Sequence, residues 1–376
     1  MTASLCRKEQ EDDLQKPHQF VTLDGLRGVA ALTVVLFHMS PLFGLSMFHE
    51  GYFREGYLAV DFFFLLSGFV ITYAYQQKLD RGLPTMEFLK TRMVRLYPLY
   101  FLGLLIGGAF SVVQMHAASP RHTPWGIAGV FLLGALWIPT PVTFLGFSSD
   151  MFPLNSPAWS LFYELCVNIV HALFVRKKGW MYLGAVILIS GLALVVGTEH
   201  LHTIDVGYDR QGILYGFPRV IFSYFMGNRL FALWKSGRVR FRIPALGSAL
   251  ILLVVLGVPV SSSLHVRYDL IVTLLVFPVL LLASVSAQPP RRLVKLFQAM
   301  GKASYAIYVL HVPLDRFLER SWAHFAGHTA TRDAPWSGIS FMLLIVVAAF
   351  IADSFYDLPV RTYLRARLGT PSTTKM

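Results

Sequence analysis

Ten apolar runs, each close to the roughly 20 residues needed to span a hydrocarbon core of about 30 Å, divide this 376-residue chain. They fall at 26–44, 57–75, 95–114, 156–175, 180–197, 213–234, 244–260, 268–286, 303–318 and 337–357. With 55% of residues hydrophobic and 14% charged, an ordinary soluble domain is excluded. The expected fold is an all-α integral membrane protein with about ten transmembrane helices around a central cavity. A further run at 125–138 is short and rich in glycine. If it crossed, Arg176, Lys177 and Lys178 would be thrown to the outside, so it is read as a re-entrant or surface segment.

The net charge of +12 does not point to a nucleic-acid partner, because the basic residues sit in short clusters between apolar runs. The clusters at 78–95, 176–178, 235–242, 291–302 and 361–367 all fall on one side once orientation follows cytoplasmic positive charge, and both termini join them in the cytosol. The other side holds Arg54, Arg121, Arg210, Arg267, Arg320 and Arg332, one or two to a loop. Cys6 and Cys166 have no metal-ligand spacing and form no expected disulfide. The polar start lacks the features of a signal peptide. The expected layout is a cytosolic tail at 1–20, a membrane domain at 21–365 and a cytosolic tail at 366–376, with no repeat and no appended soluble domain.

Six ordered segments resemble the type 3 membrane acyltransferases. The first is Thr22-Leu23-Asp24-Gly25-Leu26-Arg27-Gly28-Val29-Ala30-Ala31, with His38 eleven residues after Arg27. There follow Gly56 to Phe69 around Asp61 and Ser67-Gly68, Arg92-Met93-Val94-Arg95-Leu96-Tyr97-Pro98, and Pro157-Ala158-Trp159-Ser160-Leu161-Phe162-Tyr163-Glu164. The last two are Gly301 to His311, containing Tyr305 and Tyr308, and Tyr356-Asp357-Leu358-Pro359-Val360-Arg361. The family often has Glu before the final proline, so the Asp357-Leu358-Pro359 variant leaves Asp357 without an assigned role. The resemblance covers about residues 20–365. It implies transfer of an acyl group, often acetyl, from cytosolic acyl-CoA to a hydroxyl of a carbohydrate, a lipid-linked glycan or a small molecule. No resident cofactor or metal is implied, membrane lipids are the surroundings, and a bacterial inner membrane is the expected location.

An ionisable group inside an apolar run is costly and marks a functional site, and His38 is the clearest case. At a rise of about 1.5 Å per residue, His38 lies about 18 Å from the inner end of its run and Glu164 about 12 Å from the outer end of its own, so the two share a depth. A carboxylate beside an imidazole would fix its tautomer and stabilise the imidazolium of a general base. The plain alternatives are a structural histidine bonded to a carbonyl or hydroxyl, and a helix-to-helix pair for Glu164.

Arg92 and Arg95 share a helix face and Arg27 reaches the same level, so their guanidinium forks suit the phosphates of coenzyme A. Equally, they serve as topology-setting charge. Tyr305, Tyr308 and His311 form a stripe that either lines a substrate path or packs. Asp61 either holds an acceptor hydroxyl or caps its helix. Ser67-Gly68 allows close helix approach. Ser160 lacks a nucleophile elbow, and Phe62-Phe63-Phe64 is a packing or acyl-lining run.

The reading is an integral membrane O-acyltransferase, with His38 and Glu164 as catalytic pair and Arg27, Arg92, Arg95, Asp61, Tyr305, Tyr308 and His311 binding substrates. The rival from another class is a transporter or exporter in which His38 and Glu164 relay protons. It lacks the repeated halves and broken helix pairs of many such folds. A scaffold that keeps the fold without the chemistry is the third possibility.

Overall fold

The computed structural model describes residues 19–45, 51–115, 122–141, 147–239 and 241–369, and among these the chain is helical, with a single isolated bridge between Asp150 and Asp209 in place of any strand. Both expected tails lie largely outside the described residues, as do Arg121 and Arg240. The helices are α1 (Val21–His38), α2 (Ala59–Asp80), α3 (Thr85–Met115), α4 (Pro124–Ala135), α5 (Ala158–Val170), α6 (Arg176–Leu201) and α7 (Ile213–Lys235). They are followed by α8 (Ala245–Gly257), α9 (His265–Ile271), α10 (Phe277–Ser284), α11 (Val294–Ala326), α12 (Trp336–Ile351) and α13 (Leu358–Leu368). Single π turns at His171–Val175, Val272–Val276 and Ala352–Asp357 join α5 to α6, α9 to α10 and α12 to α13 without a break in the helical backbone. Arg176, Lys177 and Lys178, expected in a loop, are therefore helical.

Six segments among the described residues are long and apolar enough to cross a membrane: Val21–His38, Arg54–Asp80, Thr85–Met115, Tyr182–Leu201, His265–Ser284 and Trp336–Leu368. The other four expected spans exist as helices but do not meet that standard. Ala158–Leu173 and Ala245–Gly257 are apolar but short. Helices α7 and α11 have 23 and 33 residues and carry polar loads that include Arg219, Asn228 and Arg229 on the first and Lys302, Asp315 and Arg316 on the second. Helix α4, with 12 residues, is about 18 Å long and cannot cross a core of about 30 Å. It lies against α3, where Tyr97 and Tyr100 donate to the carbonyls of Ala135 and Gly134.

Burial separates centre from rim. The apolar window of Arg54–Asp80 is 72% buried, whereas that of Tyr182–Leu201 is 28% buried, so α2 is a core helix and α6 a peripheral one. Helix α2 packs chiefly on α7, and α1 on α11. Both crossings depend on glycine. A Cβ on Gly68 would lie 1.9 Å from the Tyr224 carbonyl oxygen, and one on Gly227 would lie 2.1 Å from that of Leu65. Across α1 and α11, a Cβ on Gly28 would lie 2.4 Å from Met300 Cβ, and one on Gly301 2.5 Å from Asp24 Cβ. Small residues that let backbones meet are the usual means of helix association in lipid, where apolar burial between helices is worth little. The expected role of Ser67-Gly68 in close approach is what the structure shows.

Because the obstacle at Gly68 is backbone, no side chain can yield to a substituent. Gly68→Val is expected to destabilise the chain by at least about 1–3 kcal/mol, read as a lower thermal midpoint in detergent. Substitution to Val at Gly184, which faces open space, should leave the midpoint nearly unchanged.

Candidate active site

Helix α1 carries the first two elements of the site. Eleven residues are close to three helical turns, so Arg27 and His38 share one face about 16 Å apart. His38 is the last residue of the helix, not a mid-helix residue as its place within the apolar run suggested; the chain turns into a short 3₁₀ segment at Ser40–Phe43 instead. Its Nδ1 lies 2.9 Å from the Val34 carbonyl oxygen. A carbonyl only accepts, so Nδ1 carries the proton and Nε2 the lone pair. The imidazole itself is exposed. The carbonyl end of a helix favours a cation, so this position supports an imidazolium without any carboxylate.

The side chain across from His38 is His311, fully buried on α11, with Nε2 3.4 Å from His38 Nδ1 and ring centroids 4.9 Å apart. His311 Nδ1 lies 2.7 Å from the Tyr308 carbonyl oxygen. The same reasoning makes His311 Nε2 a lone-pair nitrogen. Each histidine thus has its tautomer set by a backbone carbonyl, and the two rings pack edge to face with their facing nitrogens 3.4 Å apart.

Glu164 is elsewhere. Its Oε1 accepts from Arg92 Nη2 at 2.5 Å and from the Ser67 hydroxyl at 2.8 Å. The expected His38–Glu164 pair is therefore replaced by two separate pairs, His38 with His311 and Glu164 with Arg92. Position along a run says nothing about which side of its helix a group occupies.

The arginine cluster does assemble. Arg27 lies within electrostatic range of Asp24, Arg92, Arg95 and Glu164. It makes no hydrogen bond or ion pair among the described residues. Arg95 sits over the Tyr305 ring at 5.1 Å and 3.6 Å from buried Asp357. Asp357 is also paired with Arg361 at 2.9 Å, one turn on. The Nε of Arg92 and Nη1 of Arg95 are buried without a hydrogen-bond acceptor. Guanidinium N–H groups that remain unspent are what a phosphate ligand needs.

The remaining expected residues have definite partners. Tyr305 donates to the Leu96 carbonyl, and the Tyr308 hydroxyl lies 2.7 Å from Ser160 Oγ, which itself donates to the Pro157 carbonyl. These two tyrosines fix α11 against α3 and α5. Asp61 neither caps α2 nor stands free for an acceptor. Both of its oxygens are taken by Arg219 of α7, whose Nη1 and Nη2 also reach the carbonyls of Val206 and Tyr57. Arg219 and Asp61 are buried, at 0% and 1% exposure. Nothing in the local sequence marked Arg219 as the partner. The Asp357–Arg361 pair, by contrast, is legible as an i, i+4 spacing.

The site thus joins a histidine at a helix end to an arginine cluster three turns away on one helix. The family model of the acyltransferase domain (acyltransferase 3) matches residues 20–353, and the chain belongs to that family; it is an acyltransferase. It is 39% identical over 189 residues to protein 2 of the picA locus of Rhizobium radiobacter, covering 48% of this chain and 95% of that protein. A provisionally named acetyltransferase of the Acidianus two-tailed virus is 24% identical over 315 residues, 83% of this chain and 88% of the viral protein. A provisionally named O-acetyltransferase of Staphylococcus aureus (strain COL) is 26% identical over 327 residues, 79% of this chain, which spans only half of that longer protein. No solved structure matches the chain significantly.

The pairings can be tested thermodynamically. Arg92→Ala and Glu164→Gln should show a coupling of about 0.5–3 kcal/mol in a double-mutant cycle of unfolding, since removing either partner leaves the other uncompensated. His38→Ala and Glu164→Gln share no partner, so their effects should add to within about 0.5 kcal/mol. A strong His38–Glu164 coupling would contradict the geometry.

Proposed function

We propose that this membrane O-acyltransferase takes its acyl group, in its simplest form acetyl, from cytosolic acyl-CoA and passes it directly to a hydroxyl of a carbohydrate or lipid-linked glycan. The observation that carries the reading is the unspent Nε–H of Arg92 beside Arg95 and an Arg27 that has no hydrogen bond or ion pair among the described residues, one pantetheine arm's reach, about 16 Å along α1, from His38. In this reading Arg27, Arg92 and Arg95 grip the pyrophosphate and ribose phosphate, while Glu164 and Ser67 hold Arg92 in place. Asp357 does the same for Arg95. The thioester then points along the face that Arg27 and His38 share. The basic residues sit on the cytosolic side of a bacterial inner membrane, with both termini there.

His38 Nε2 takes the proton of the acceptor hydroxyl as its oxygen attacks the thioester carbonyl. The positive charge formed on the imidazole is met by the Val34 carbonyl at the end of α1 and by the Nε2 lone pair of His311. When the tetrahedral intermediate collapses, the C–S bond breaks and the same proton returns to the thiolate, releasing CoA and the ester. Ser160 does not serve as a covalent carrier, because its hydroxyl is held between Pro157 and Tyr308. The separation of Glu164 from His38 also weighs against a proton relay between them, and so against the transporter reading.

His38→Ala should lower turnover by about 10²–10⁴ with the acyl-CoA KM little changed, and His38→Gln should not restore it. His311→Ala should lower kcat less, without affecting donor KM. Arg92→Lys and Arg95→Lys should instead raise the donor KM, since a point charge cannot replace a fork. Free CoA release from the purified protein in liposomes with candidate acceptors measures all of these. CoA release at the wild-type rate from folded His38→Ala protein would overturn the base assignment, and acceptor flux without CoA release would favour transport.

A further inference from the structure

Outside the acyl-transfer site, Glu55, His265 and Asp269 each bring a potential ligand atom into one buried group, with all three atoms within 4.8 Å of one another. Glu55 lies in the 3₁₀ turn Arg54–Leu58 that leads into α2. His265 and Asp269 are one helical turn apart at the start of α9. The side chains of Glu55 and Asp269 are 0% exposed.

The hydrogen-bonding arithmetic of this cluster does not close. The Tyr57 hydroxyl lies 2.5 Å from Glu55 Oε2, 2.7 Å from Asp269 Oδ2 and 3.4 Å from His265 Nδ1. One hydroxyl brings one proton, so it cannot serve both carboxylates. Glu55 Oε1 and Asp269 Oδ1 are buried with no hydrogen-bond partner at all. Buried carboxylate oxygens without a donor or a counter-charge are costly. Arg219, one cation within electrostatic range of Asp269, is taken up by Asp61 and two carbonyls, one of them that of Tyr57 itself.

The two spacings from His265 suit an ion better than a proton, and the third ligand pair lies within 4.8 Å. His265 Nδ1 stands 3.4 Å from Glu55 Oε1 and 3.6 Å from Asp269 Oδ2, which is long for an N–H···O bond. Ligand atoms about 2.0–2.2 Å from a tetrahedral zinc ion stand roughly 3.3–3.6 Å apart. We propose that Glu55, His265 and Asp269 bind one divalent transition-metal ion of the zinc type. An imidazole nitrogen with carboxylate oxygens selects zinc-like ions over magnesium or calcium, which prefer oxygen alone. A cleft lined by Glu199, His202, Ser262, Ser263 and Arg267 reaches His265 and gives an ion its way in. Bound there, the ion clamps the turn before α2 onto α9 and fixes Tyr57, whose ring lies 5.8 Å from that of Phe37, the neighbour of His38. Its role is to hold structure, and no step of acyl transfer passes through it.

The test uses the full chain, purified in detergent, stripped with chelator, equilibrated with Zn²⁺ and desalted. Elemental analysis should find one zinc retained per chain, and Zn²⁺, unlike Mg²⁺, should raise the unfolding midpoint by several degrees. His265→Ala and Asp269→Asn should each lose both effects while remaining monodisperse. Wild-type protein that retains no zinc and shows no shift would overturn the proposal and leave the cluster closed by a shared proton. Retention unchanged in both variants would overturn it equally. If the variants do not fold, the wild-type stoichiometry and shift decide alone.

Discussion

The contact between α1 and α11 governs the rest of this structure. Two helices that meet at Gly28 and Gly301 come close enough for their last shared turns to place His38 on His311. The same approach brings the lower part of α11, with Tyr305, to the level of Arg95. A bulkier residue at either glycine would push the axes apart, and both the histidine pair and the arginine cluster would lose their registry together. Lipid gives such helices little reason to associate through apolar burial, so geometry at a few small residues does what a hydrophobic core does in water.

Charge is arranged in three tiers around that contact. At one end, Arg27, Arg92, Arg95 and Arg361 outnumber the carboxylates of Asp24, Glu164 and Asp357 among them, so positive charge is left for a ligand. In the middle, the two histidines need no carboxylate, because carbonyls at the end of α1 and within α11 define their tautomers. Beyond Phe37 and Tyr57, Asp61–Arg219 and the Glu55 cluster are sealed inside the protein. The acidic groups of the first tier hold arginines in place more than they do chemistry.

Much of this was legible in the amino-acid sequence, for particular reasons. Runs of apolar residues announce helices because a bilayer allows few other solutions. Arg92 and Arg95 could be placed on one face because their spacing is a property of one helix. The short segment around Trp125 was recognisable from its length. What stayed hidden depended on how one helix turns toward another and where it ends: Glu164 facing Arg92, Asp61 paired with an arginine 158 positions away, and His38 ending its helix although the apolar run continues. Four of the ten expected spans fall short of the length and apolarity that mark an independent membrane segment, for a related reason. Apolar content along a chain does not reveal that α7 and α11 devote polar residues to their neighbours.

The Arg219–Asp61 pair bears on how α7 stands in the membrane. Helix α7 does not qualify as an independent span, and an unpaired arginine in its interior is expensive in lipid. The aspartate that neutralises it is on α2. In the folded chain the carboxylate on α2 meets that arginine, so the stability of α7 in lipid is tied to a helix more than 130 positions earlier.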